Sequence, residues 1–167
     1  MQLNIEKKYS TTFNDESTTI YENSENFLQF NVMPNKYVSE KLIIKKYIVN
    51  SRKVEVYFDR KYQTDMLKSP DHFIFLSALV NLQKMIYVLM SKHFDIKYLP
   101  NEPEKFKIWP IKTDIDMTGM VRKKNNVYQD FKIESLDKIT DSKYILKGTS
   151  TSESIIKISG TALIYKI

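Results

Sequence analysis

The pattern of apolar and polar positions divides the chain into strand-like stretches on either side of one long apolar run. That run, Asp-His-Phe-Ile-Phe-Leu-Ser-Ala-Leu-Val-Asn-Leu-Gln-Lys-Met-Ile-Tyr-Val-Leu-Met, spans residues 71–90. Its apolar positions go all round the helix, which predicts burial on most sides. Ser69-Pro70-Asp71 supplies a helix entry, with Pro in the first turn and Ser or Asp as cap, and the helix is expected to run to about Lys92. Upstream, the β-formers of Leu42–Val49, the turn Asn50-Ser51 and the alternation of Val54–Asp59 predict a hairpin. Glu25–Met33 reads as a short helix closed by Pro34, and residues 1–25 as a polar, loosely ordered N-terminal arm.

Downstream, Pro100-Asn-Glu-Pro103 breaks the chain before Trp109-Pro110. Four strands are then expected at Ile111–Val121, Val127–Glu134, Tyr144–Gly148 and Ile155–Tyr165, forming an antiparallel meander. Hairpin, helix and meander give an α+β domain over residues 26–167, with a curved antiparallel β-sheet wrapped around one long central helix. An open sheet edge is commonly hidden by a second copy, so a homodimer is expected.

Composition narrows the chemistry. The chain has no cysteine and only His72 and His93 as histidines. Disulfides, a thiol nucleophile and a multi-histidine metal centre are excluded, no cofactor is expected, and the cysteine count favours the cytoplasm. The helical run approaches spanning length, but Ser77, Asn81, Gln83 and Lys84 interrupt it, so no membrane span is expected. The net charge of +6 fits a partner rich in phosphate or carboxylate. Its basic residues are dispersed, however, and the joint abundance of Lys, Ile, Asn and Tyr accounts for the charge more simply. Most tyrosines fall in apolar alternation, which argues against a nucleic-acid-binding face.

The order of elements and the Asp71-His72-Phe73 opening of the helix resemble the hotdog-fold acyl-thioester enzymes, a group of thioesterases and hydroxyacyl dehydratases. The type III long-chain fatty-acyl-CoA thioesterases (FcoT-like) also open the central helix with a His-Phe pair and place an Asn deeper in it. Here those residues are His72-Phe73 and Asn81, and the likeness covers roughly Lys41 to Ile167. Ile74 stands where dehydratases of this group carry Pro, and no acid lies between Phe73 and His93, so the usual His–carboxylate dehydration pair is missing from the helix. Gln83 matches the Asn spacing of the thioesterases better than Asn81. The two point about 200° apart, so only one faces a cleft.

The resemblance implies hydrolysis of a fatty-acyl thioester carried by coenzyme A or an acyl carrier protein. The alternatives are a lyase or dehydratase acting on the β-carbon of such a thioester, and a non-catalytic acyl-binding module. Amides of the first helical turn, near Phe73, Ile74 and Phe75, would hold the oxyanion, with Ser77 beside the substrate. His72 would orient or deprotonate water, as imidazole titrates near neutrality. Asn81 or Gln83 would hold water or the carbonyl. Tyr37 and Tyr62 are candidate hydroxyl donors by the same resemblance, and Arg122, Lys123 and Lys124 would meet phosphate.

Simpler roles stand beside these. A histidine at a helix start is often a cap, a buried Asn often bonds a neighbouring strand, and Asp71 reads as a cap more readily than as a base, with Asp65 a further candidate base. Phe75, Met85, Tyr87 and Met90 read mainly as core, a few of them as acyl-tunnel lining. Asp114 and Asp116 alternate on a strand as a solvated face rather than a metal site.

Overall fold

The computed structural model describes residue 13 and residues 15–167. Seven strands and one helix follow in the order β1 (Thr18–Met33), β2 (Lys36–Val49), β3 (Lys53–Thr64), α1 (Phe75–His93), β4 (Phe106–Met117), β5 (Val127–Lys138), β6 (Lys143–Ser152) and β7 (Ile156–Lys166). The strands form one antiparallel sheet ordered β1-β2-β3-β5-β6-β7-β4, curled into a half-barrel against which α1 packs. The architecture is α+β, as expected.

Two expected elements change. Glu25–Met33 is strand, not helix, and Thr18–Glu25 belongs to the same strand rather than to a loose arm; the other arm residues described are Phe13 and 15–17. Pro34-Asn35 closes the β1–β2 hairpin, with Met33 paired to Lys36 and Asn35 at φ 61°, a turn suited to Pro followed by Asn. The four-strand meander is also corrected. Strands β5, β6 and β7 do form one, but β4 lies beyond β7 and β5 joins β3. Strand β4 starts at Phe106 and includes Trp109-Pro110; as an edge strand it tolerates a proline. Its register slips between Pro110 and Lys112, and Gly160 opposite allows the Lys112 carbonyl to come close where a Cβ would collide.

The core lies between the concave sheet face and α1. Val54, Val56 and Phe58 from β3, Ile133 from β5, Leu146 from β6 and Ile164 from β7 meet Met85, Leu89 and Met90. Each such side chain contributes about 2 kcal/mol on burial. The helix is not covered all round: Phe75, Leu76 and Val80 are 40%, 37% and 44% exposed. Nor is it capped by Ser69 or Asp71, because the N-cap residue is Ile74 and no side chain caps from that position. Lys92 in the last turn suits the negative end of the helix dipole, while burial lowers the pKa of His93 beside it.

Candidate functional site

Residues Leu76, Leu79, Val80 and Gln83 share one face of α1 by their three- and four-residue spacing. Across from that face, β4 and β7 curl inward without closing on it. A groove of about 360 Å³ results, lined by Leu79, Val80, Leu82 and Ile86 from the helix and by Ile108 and Ala162 among the strand residues. Phe131, Leu146 and Ile158 form further apolar wall, while Gln83, Lys112, Thr113, Ser159 and Thr161 supply the polar side chains. Val80, Gln83 and Ile108 also border a second pocket of about 370 Å³, which adds Lys84, Tyr87, Tyr98, Glu102 and Glu104. Gln83 therefore stands where an apolar trough meets a polar one.

Asn81 points the other way. It is fully buried, and its Nδ2 donates to Gln129 Oε1 at 2.9 Å. Gln129 Nε2 in turn donates to the Ala78 carbonyl at 3.0 Å and to Ser150 Oγ at 3.1 Å. Among the described residues, Asn81 Oδ1 has no hydrogen-bond partner. Of the two amides, Gln83 faces the groove.

The first helical turn is differently occupied from the sequence reading. The Phe73 amide donates to the Val121 carbonyl at 2.8 Å, and the Ile74 amide to Glu40 Oε2 at 3.3 Å. Neither is open to an oxyanion, and Phe73 and Ile74 are buried. Ser77 is also buried and its hydroxyl makes no well-formed hydrogen bond among the described residues, although it lies near the Glu40 carboxylate. Phe75 is half-exposed on the groove side of the helix start.

His72 is outside the groove. Its Nδ1 lies 2.7 Å from the Pro70 carbonyl and its ring 5.8 Å from that of Tyr62. Tyr62 shares a hydrogen bond with Ser69 Oγ at 2.8 Å. Tyr37 meets the same region through its backbone: its amide donates to Asp65 Oδ1 and its carbonyl accepts from Thr64 Oγ1, each at 2.8 Å. His72 and Tyr62 thus gather before the helix, whereas Gln83 lies about two turns inside α1.

The cations expected to hold phosphate are partly committed. Lys123 pairs with Glu153 at 3.2 Å and Lys124 with Asp71 at 3.1 Å, while Arg122 is exposed. Asp114 pairs with Lys112 at 3.4 Å, and no group of metal-ligating side chains occurs among the described residues.

Sequence reasoning missed a buried charge cluster at the helix start. The Arg60 guanidinium, enclosed by protein, donates to Asp71 Oδ1 at 2.7 Å and to the Lys123 carbonyl at 2.7 Å, and lies 3.9 Å from Glu40 Oε1. Glu40 is fully buried on β2. Burial, with repulsion from Asp71, outweighs the Ile74 amide, Arg60 and Ser77 and raises its pKa to about 7. Partial burial would raise Asp71, but the hydrogen bonds and charges of Arg60 and Lys124 outweigh it and hold the carboxyl below its ordinary range. The signal was present: Glu40 is in phase with Val38, Leu42 and Ile44, and Arg60 with Val56 and Phe58. A second such pair ties α1 to β1, where Lys84 meets Glu22, which also accepts from Tyr98 at 3.1 Å.

No helix among the described residues is long and apolar enough to cross a membrane. No family model matches the chain, and no curated protein matches it. Solved structures similar to it include a point mutant of the hypothetical protein SAV0944 from Staphylococcus aureus, at 13% identity over 70% of this chain and 88% of that one, with a TM-score of 0.44. Another is AziG of S. sahachiroi, at 5% identity over 75% and 90% of the two chains, with a TM-score of 0.45.

Proposed function

We propose that this chain is an acyl-thioester hydrolase of the hotdog type, acting on a fatty-acyl group carried by coenzyme A or an acyl carrier protein in the cytoplasm. The observation that carries the reading is the groove beside α1, apolar along its walls and bordered by Gln83 where the polar pocket begins. An acyl tail fills the apolar part, and the thioester lies at Gln83, whose amide donates to the carbonyl or positions water. The uncovered apolar edge is closed by a second copy. Strand β4 ends the sheet and exposes Trp109, Ile111, Ile115 and Met117. Antiparallel pairing of two β4 strands satisfies this open edge and covers these side chains.

One observation favours a second reading, a non-catalytic acyl-binding module. Among the described residues, neither a carboxylate nor an imidazole lines the apolar groove. The same feature gives the dehydratase alternative no acid–base pair there. Thiol release from acyl-CoA and acyl-carrier substrates by wild type, His72→Ala and Gln83→Ala separates the readings. The hydrolase reading expects turnover that falls at least tenfold in Gln83→Ala. Thermal stabilisation by acyl-CoA with the thioester left intact identifies a binder.

A further inference from the structure

Three connections meet at the end of the sheet where α1 begins. The β1–β2 turn is fastened to the segment after β3 by the Tyr37 amide on Asp65 and by Thr64 Oγ1 on the Tyr37 carbonyl. Thr64 Oγ1 also accepts from the Met66 amide at 3.1 Å. The β4–β5 connection is fastened at the same end by Arg60, whose amide donates to the Lys124 carbonyl at 2.8 Å and whose side chain holds the carbonyls of Arg122 and Lys123. The three segments therefore lie at one end of the sheet.

Apolar side chains project from all three segments, the rim of that end. Leu67 is 94% exposed, Met33 57%, Val32 49% and Met120 48%. Leu67 and Met120 stand in loops and Val32 and Met33 at the end of β1, with Lys68 at φ 59° turning the chain directly after Leu67. The rim's cations outnumber its acids. Asp71 is paired with Arg60 and Lys124 and Glu153 with Lys123, while Asp65 accepts from the Tyr37 amide and stays charged and exposed. Lys36, Lys68 and Arg122 are exposed and have no ion-pair partner among the described residues.

We propose that this rim docks on an anionic lipid surface, with Leu67 and Met33 entering the boundary between headgroups and acyl chains while Lys36, Lys68 and Arg122 meet lipid phosphates. A folded protein partner would have to offer a separate recess for each projecting side chain. A fluid interface accepts isolated apolar side chains ringed by cations without such matching. The inference does not depend on the hydrolase reading.

Cosedimentation of the full chain with phosphatidylcholine vesicles, with and without phosphatidylserine, tests it. Binding is expected only with phosphatidylserine and is expected to weaken as salt rises. Leu67→Ser should weaken it about tenfold and Lys68→Ala about fivefold, each with an unchanged melting temperature because both side chains are exposed. Absence of binding, equal binding to both vesicles, or binding indifferent to Leu67→Ser overturns the proposal. Equally tight binding to soluble polyglutamate also overturns it, in favour of an acidic protein partner.

Discussion

Asn81 donates from Nδ2 to Gln129 Oε1 at 2.9 Å, on the face of α1 that Ala78, Met85 and Leu89 bury in the core. Gln83, two residues on, is thereby turned to the groove. The pair assigns separate work to two amides that look interchangeable along the chain.

Asn81→Ala strips a buried partner from Gln129, so unfolding stability should fall by about 1–3 kcal/mol. Urea denaturation of the variant measures the loss. If Asn81 is structural, thioester turnover per folded molecule stays near wild type.

Gln83→Ala should behave in the opposite manner. The side chain is exposed, so stability should stay within about 0.5 kcal/mol of wild type. The expected loss is in kcat/KM, seen by thiol release and absent from the denaturation curve.

Glu40 makes stability depend on pH. Its folded pKa is raised from 4.5 to about 7, so the folded state binds the proton more tightly than the unfolded chain. Its favourable contribution is full below pH 4.5 and is lost as pH rises through about 7. The loss is of order 3 kcal/mol by pH 8. Glu40→Gln should flatten that part of the profile and leave the variant more stable than wild type at pH 8. Parallel wild-type and variant curves from pH 5 to 8, taken by chemical denaturation, would contradict the assignment.

Much of the fold was readable from residues in alternation. Val54, Val56 and Phe58 announce β3, and the Phe73–Met90 run announces α1. Strand β1 was hidden because Glu22, Ser24 and Asn26 occupy its inward phase, where apolar residues were expected. The placement of β4 beyond β7 was hidden for another reason: strand order follows from long-range pairing, to which local pattern is blind. At the candidate site, Gln83 and Asn81 were both visible as polar interruptions. Their division of roles was not, because it rests on Gln129, 48 residues downstream of Asn81. The Arg60–Glu40 cluster left a trace as charges in an apolar phase, but the partners lie on different strands.

The central claim is that an acyl tail lies in the groove between α1 and the β4–β7 edge. The most direct measurement is kcat/KM for thiol release across saturated acyl-CoA substrates of increasing length, in wild type and in Ala162→Leu, which fills the groove. The account predicts a gain of about fourfold per methylene in wild type until the groove is full. In Ala162→Leu that limit should come at a shorter chain. A slope unchanged by Ala162→Leu, or turnover indifferent to chain length, would contradict it.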